Sequence, residues 1–258
     1  MTSDSSARKP GDIALVTGAA RRIGRAIALR LAADGYRLAL HASARSRDDA
    51  ENVAAEIRSA GGEARVVTAD LAEAGEASGL LPAVITAIGA PTLLVNNASL
   101  FEADRADAFD PAFFDRMMAV NLRAPAQLAS DFAAALPEGK PGCIINLLDQ
   151  RVWRLNPQFY SYTLSKAALW TATQTMAQSF APRIRVNGVG PGPVLPNGPQ
   201  GEAAFAQEVS GIPLARSVSP EEIADAVAWL AQARSVTGQM IAVDGGQHIG
   251  WRTPDIVD

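Results

Sequence analysis

Two rhythms of apolar and polar positions alternate along this chain. Short, continuous apolar runs occur at 13–18 (IALVTG), 37–41 (RLALH), 64–69 (ARVVTA), 92–97 (TLLVNN), 143–148 (CIINLL) and 184–189 (IRVNGV), and again in MIAVDGG near the end. Each reads as a strand buried on both faces. Segments of helical period lie between them. Ile23, Ile27 and Leu31 recur at i, i+4 and i+8 until Gly35 stops the helix. A polar-faced helix over 47–60 closes at Gly61-Gly62, and another spans 72–89. A long helix is predicted over 111–136, with Asp110 as N-cap and Pro111 in the first position. Further helices are predicted over 161–181 and over 220–232, the latter opened by SPEE.

This alternation repeats about seven times. It predicts a single doubly wound α/β domain over 13–258, with a mostly parallel sheet and helices on both faces. An eight-fold barrel is the competing arrangement. It needs another βα unit and leaves the first glycine turn unexplained. The one break in rhythm is 190–219, rich in Pro and Gly and placed after a strand. Ligands bind beyond the carboxyl ends of strands in open sheets, so this segment is expected to be a substrate loop; a disordered surface loop is the plain alternative. Residues 1–12 are polar and read as a disordered tail.

Composition narrows the function. Hydrophobic residues make up 48% and charged residues 19%, and the net charge is −4. The acidic balance argues against nucleic acid or an anionic membrane as partner. Cys143 is the sole cysteine, inside an apolar run, and reads as a small buried strand residue. With only His41 and His248 besides, no metal site is expected. There is no signal-peptide core or bilayer-length run, so a cytoplasmic address is the default expectation.

The candidate chemistry lies in 143–169. Tyr162 and Lys166 stand one helical turn apart, and Asp149 precedes Tyr162 by thirteen positions. An ammonium beside a phenol favours phenolate, so Lys166 is expected to lower the Tyr162 pKa. At the other end, TGAARRIG (17–24) joins the first strand to the first helix, where Gly18 and Gly24 bracket a turn suited to a pyrophosphate. After the second strand, which ends in His41, no carboxylate occurs before Asp48. Arg45, with Ser43 and Ser46, can instead meet a phosphate, and Arg22 can approach from the glycine turn. NADP is therefore favoured over NAD, unless Arg45 is only a solvated loop charge. Asp70 ends the third strand, where it can sit near the adenine, cap a helix, or do both.

Taken together, the glycine turn, NNA at 96–98, Asn121 within a helix, Tyr162-x-x-x-Lys166 and Pro191-Gly192 resemble the short-chain dehydrogenase/reductase family. The resemblance spans about 13–246. It implies a Rossmann-type sheet of seven strands in the order 3-2-1-4-5-6-7 and a homotetramer or homodimer. It also implies cofactor contacts from Gly18, Arg22, Ile23, Gly24, His41, Asp70, Leu71, Asn97, Ala98, Ser99, Tyr162, Lys166, Pro191 and Gly192. Asn121 is implied to hold a water in the proton path, and Lys166 to bind the nicotinamide ribose. Arg22 stands where the family usually has a third glycine, and Asp149 where it usually has a serine. The pteridine reductase and dihydromonapterin reductase branch shares both departures. In that branch the Asp, Tyr and Lys are catalytic, and the residues matching Ser99 and Phe101 contact cofactor and pterin; Arg22, Asp149 and Tyr162 complete the implied substrate contacts.

Asp149 changes the expected chemistry. A serine hydroxyl donates to a carbonyl oxygen, but an ionised carboxylate only accepts. Asp149 fits a substrate with N–H donors, or a C=N bond whose nitrogen needs a proton. Phe101 could hold a flat heterocycle against the nicotinamide. The plainer readings are Asp149 as a cap for 150–153, Phe101 as lid packing, Asn121 as a helix-bending residue, and Tyr162–Lys166 as a surface pair. Trp153 could line the pocket. Three functions are open at this point: NADPH-dependent reduction of a pteridine-like C=N bond, reduction of a ketone, and NADPH binding without catalysis.

Overall fold

A computed structural model describes residues 11–196 and 201–251. Of the predicted polar tail, 1–10 fall outside the described residues. The seven strands are β1 (Ile13–Val16), β2 (Arg37–Ala42), β3 (Ala64–Thr68), β4 (Leu93–Asn96), β5 (Gly142–Leu147), β6 (Ile184–Pro191) and β7 (Met240–Val243). They form one sheet in the order β3-β2-β1-β4-β5-β6-β7, and every pairing is parallel. β1, β4 and β5 are buried along their whole length, which is why their sequences lack a polar alternate. The eight-fold barrel is thereby excluded.

Helices cover both faces. Helix α1 (Arg22–Ala33) and α8 (Pro220–Gln232) share one core with the sheet, where Ile27 and Leu31 meet Val227 and Leu230. On the other face lie α3 (Ala74–Ile88) and α5 (Ala124–Ala135), with Leu80, Leu128 and Phe132 in a second core. Helix α2 (Arg47–Ser59) follows β2, and α6 (Tyr160–Phe180) follows β5. Ser219 opens α8 with a full capping box through Glu222. The chain reverses direction across the sheet between β1 and β4, leaving a crevice at their carboxyl ends.

One expectation is refined and one corrected. The helix predicted over 111–136 runs without a break from Pro111 to Ala135, but α4 (Pro111–Met118) and α5 are joined by a π-helical turn over Ala119–Arg123. Pro125 has no N–H for the carbonyl of Asn121 four residues earlier, so the ordinary ladder fails there and the turn widens. Asp110 does cap α4, accepting from the Ala112 amide at 2.9 Å. The segment 190–219 is not one loop. β6 continues to Pro191, and Gly201–Ser210 forms helix α7. Its Ala, Glu and Gln residues are strong helix formers hidden among flanking Pro and Gly. Residues 197–200 of that segment lie outside the described set.

Phe132 is fully buried beneath β5, where its ring lies against Gly142. Phe132→Ala is expected to cost about 3–5 kcal/mol, read by urea denaturation, with native circular dichroism retained before the transition.

Candidate active site

Two adjoining cavities open at the carboxyl ends of the strands. The first, of about 1070 Å³, is lined by Gly18, Arg22, Ile23, Gly24, His41, Ser43, Arg45, Ser46, Asp70, Leu71, Asn97, Ala98 and Ser99. The second, of about 770 Å³, is lined by Asp149, Tyr162, Lys166, Pro191 and Gly192. Arg22, Ile23, Asn97, Ser99, Phe101 and Tyr162 border both. The fold thus gathers every predicted site residue except Asn121 into one continuous cleft.

The glycine turn is tightly built. A Cβ on Gly24 would lie 2.0 Å from the Gly18 carbonyl oxygen, so the turn closes only around glycine. Thr17 Oγ1 accepts the amides of Asn97 at 2.9 Å and Ala98 at 3.0 Å. Asn97 Nδ2 donates to the carbonyls of Thr17 and Gly18. The Asn97 amide therefore braces the turn. Arg22 takes φ +50, a left-handed conformation that suits the glycine usual there and costs other residues about 1–2 kcal/mol. Its guanidinium crosses the cleft to donate to the carbonyls of Leu195 at 3.0 Å and Pro196 at 3.2 Å.

His41 has a structural place. Its Nδ1 accepts the Gly18 amide at 3.2 Å, so Nε2 carries the proton and donates to the Ala69 carbonyl at 3.1 Å. Burial pushes its pKa down, and the neutral ring ties the ends of β1, β2 and β3 together. Asp70 lines the cleft and accepts the Ala72 amide at 2.9 Å in the turn before α3, but it does not cap that helix, whose N-cap is Glu73.

At the second cavity, Tyr162 Oη donates to Asp149 Oδ2 at 2.9 Å. The other carboxylate oxygen accepts the Arg151 amide at 2.8 Å. Lys166 Nζ donates to the Leu147 carbonyl at 2.7 Å and stands 5.6 Å from the Tyr162 ring centre. Burial raises the Asp149 pKa, opposed by the Arg151 amide, the Arg151 charge, Tyr162 and Lys166. Burial also lowers the Lys166 amine to about 8. The expectation that Lys166 would lower the Tyr162 pKa is overturned. Burial and then the Asp149 charge push the phenol well above its ordinary value, while the ammonium is turned to a backbone carbonyl.

Asn121 is fully buried and its side chain is spent on protein partners. Its Oδ1 accepts the Leu100 amide at 2.8 Å and the Ser99 hydroxyl at 3.2 Å; its Nδ2 donates to the Leu100 carbonyl and Ser165. It latches the loop after β4 onto α6. Phe101 stacks on Phe159, with centroids 4.3 Å apart and planes 8° apart, and meets Tyr162 edge-on at 4.7 Å. Trp153 is absent from the lining of either cavity. It packs instead against Trp170 and His248.

Sequence reasoning missed four residues here: Thr17, Arg151, Phe159 and Asp104. Phe159 sits before α6 in a left-handed conformation and gives that helix no side-chain cap. The cap comes from the loop after β4. Asp104 accepts the Ser161 amide at 3.0 Å and the Ser161 hydroxyl at 2.5 Å, across 57 positions. No local pattern announces so distant a cap. Asp104→Ala is expected to cost about 1–2 kcal/mol by denaturant titration, while Asp104→Asn, which can still accept, loses less.

Among the described residues, no helix is long and apolar enough to cross a membrane, and no cluster of potential metal ligands occurs. A family profile described as enoyl-(acyl carrier protein) reductase matches residues 18–248. The chain is 51% identical to the structure of FolM, alternative dihydrofolate reductase 1, from Brucella canis complexed with NADP; the match covers 95% of this chain and 97% of that one, with a TM-score of 0.91. A short-chain dehydrogenase/reductase from Serratia marcescens superposes with a TM-score of 0.86 at 34% identity, over 92% of this chain and 98% of that one. The 3-oxoacyl-(acyl-carrier-protein) reductase FabG of Staphylococcus epidermidis is 34% identical over 241 residues, 92% of this chain and 98% of its own. With its parallel sheet and its Tyr162–Lys166 pair in place, the chain belongs to the short-chain dehydrogenase/reductase family of oxidoreductases.

Proposed function

We propose that this protein is an NADPH-dependent reductase of a C=N bond in a pteridine-like heterocycle. The observation that carries the reading is the 2.9 Å bond from Tyr162 Oη to Asp149 Oδ2 in a mostly buried site. The Brucella relative, solved with NADP and named a dihydrofolate reductase, supports it.

The first cavity fits a dinucleotide. Gly24 leaves no room for a side chain beside the turn, and α1 begins without a side-chain cap. Its first amides and helix dipole suit a pyrophosphate. Arg45, Ser43 and Ser46 lie at the end of β2, where a ribose 2′-phosphate would be read; Lys166 and Tyr162 serve the nicotinamide end. NADPH supplies the hydride when bound.

This chain's residues manage the proton. Reduction of C=N adds a hydride to carbon and a proton to nitrogen. Tyr162 donates a hydrogen bond to Asp149, and burial raises the pKa of both, favouring their protonated forms. Protonated Asp149 can then give its proton to the ring nitrogen and become a carboxylate, which the Tyr162 hydroxyl stabilises by its hydrogen bond. Phe101 offers a flat apolar surface beside Tyr162. Arg22 and Ser99 border both cavities, which supports a role for them in contacting the substrate.

Ketone reduction is the second reading, favoured by the similarity to FabG reductases. Tyr162 could donate to a carbonyl oxygen. The neighbouring Asp149 would then set a carboxylate against the developing oxyanion, which opposes transition-state stabilisation.

Replacing Asp149 by Ser tests the reading, with NADPH oxidation followed on dihydropterins and dihydrofolate. The variant is expected to lose at least about tenfold in kcat/KM. The reading fails if the wild type turns over no pterin, or if the Ser variant reduces pterins equally well. The pH profile has a defined sign. Activity carried by protonated Asp149 is full at low pH and falls as pH rises through its raised pKa; the Ser variant lacks that limb. Arg45→Ala is expected to weaken NADPH binding about tenfold or more and leave NADH binding nearly unchanged, measured by fluorescence titration.

A further inference from the structure

Among the charged side chains that line the second cavity, Arg151 has no part in the scheme above. Arg151 lies on the short turn after β5, two residues beyond Asp149. Its side chain is only 12% exposed and borders the same cavity as Phe101, Tyr162 and Lys166. Its guanidinium carbon stands 5.0 Å from the Phe159 ring centre and 5.9 Å from that of Phe101, within cation–π range of both. Nη1 donates to Asn156 Oδ1 at 3.0 Å, and that oxygen is itself fixed by the Gln158 amide at 3.0 Å. Nε lies 3.9 Å from Asp149 Oδ1. Among the described residues, Nη1 alone of the three guanidinium nitrogens makes a hydrogen bond.

The close partners that hold this arginine in place are two rings and a neutral amide; its single ion-pair partner among the described residues, Asp149, stands at the outer limit of such a contact, 3.9 Å away. The one carboxylate beside it, Asp149, is also bonded to Tyr162. A guanidinium presents five N–H groups in a fork that suits carboxylate and phosphate. A largely desolvated cation of this kind, with most of its donors uncommitted, is a built receptor for an anion.

We propose that Arg151 binds an anionic substituent carried close to the reacting ring of the substrate, so that the site selects charged heterocycles over neutral analogues. The proposal rests on the pteridine reading above and narrows its substrate class. The position of the charge follows from the geometry. An anion on this guanidinium lies within one side chain's breadth of Asp149, so it sits on a short substituent and not at the end of a long arm. A carboxylate and a phosphate both meet the requirement.

The test compares NADP-saturated wild type, Arg151→Met and Arg151→Lys. Binding of pterin-6-carboxylate and of neutral 6-methylpterin is measured by fluorescence titration. Turnover is measured on 7,8-dihydrobiopterin, dihydroneopterin monophosphate and dihydrofolate. The wild type is expected to prefer the anionic ligand of each short-tailed pair. Arg151→Met is expected to reduce the anionic-to-neutral ratio by about tenfold or more, and Arg151→Lys to retain part of it. The turnover arm separates phosphate from distant carboxylate. Arg151 also touches Asp149, so an equal loss for anionic and neutral ligands would assign it to Asp149 alone and overturn the proposal. A wild type that favours the neutral ligand would overturn it too. If the binding ratio shifts as expected but no dihydropterin is reduced, the reduction reading fails and the anion site stands. If pterins are reduced but the ratio does not move, the anion site fails alone.

Discussion

The hydrogen bond between Tyr162 and Asp149, made where water is largely excluded, is the interaction on which the site depends. Two acids lie 2.9 Å apart, and a lysine amine with its pKa lowered to about 8 lies one helical turn away. Burying such groups is costly unless each finds a partner. Each does: Tyr162 donates to Asp149, Asp149 accepts the Arg151 amide, and Lys166 donates to the Leu147 carbonyl. The outcome is a hydrogen-bonded pair of acids, both raised above their ordinary range by burial. That suits delivery of a proton to nitrogen better than stabilisation of an oxyanion.

The surrounding structure keeps this cluster in place from three directions. The parallel sheet delivers Asp149 at the end of β5 and the glycine turn at the end of β1, on either side of the β4 loop. Asn121 and Asp104 then tie that loop to α6, the one from a π-helical turn and the other as a cap. Phe101 belongs to the same loop, so the aromatic surface and the acid pair are fixed relative to one another. Arg22 bridges the opposite side, from the glycine turn to Leu195 and Pro196.

Much of this was legible in the sequence, for physical reasons. Strands buried on both faces leave unbroken apolar runs, and βα units force parallel pairing, so strand placement and direction are readable, while the strand order follows only from the family resemblance. Gly18 and Gly24 were legible because close backbone approach admits nothing larger. Even the π-helical turn carried a signal, the Asn121–Pro125 spacing, though the apolar pattern of the helix runs straight through it. Other features depend on tertiary placement and leave no local trace. Asp104 caps a helix far along the chain, and His41, which lines the first cavity, has both ring nitrogens engaged by Gly18 and Ala69. The direction of the Tyr162 shift was misread because sequence spacing brings Lys166 close without showing that its amine turns to Leu147. Helix α7 was hidden by the prolines and glycines around it.

The central claim is that the Asp149–Tyr162 pair makes this a reductase of C=N bonds. The most direct measurement is the ratio of kcat/KM for a 7,8-dihydropterin to that for a 3-oxoacyl thioester, with the wild-type protein and saturating NADPH. A ratio well above one is predicted. A thioester ketone reduced efficiently while dihydropterins are ignored would contradict the account.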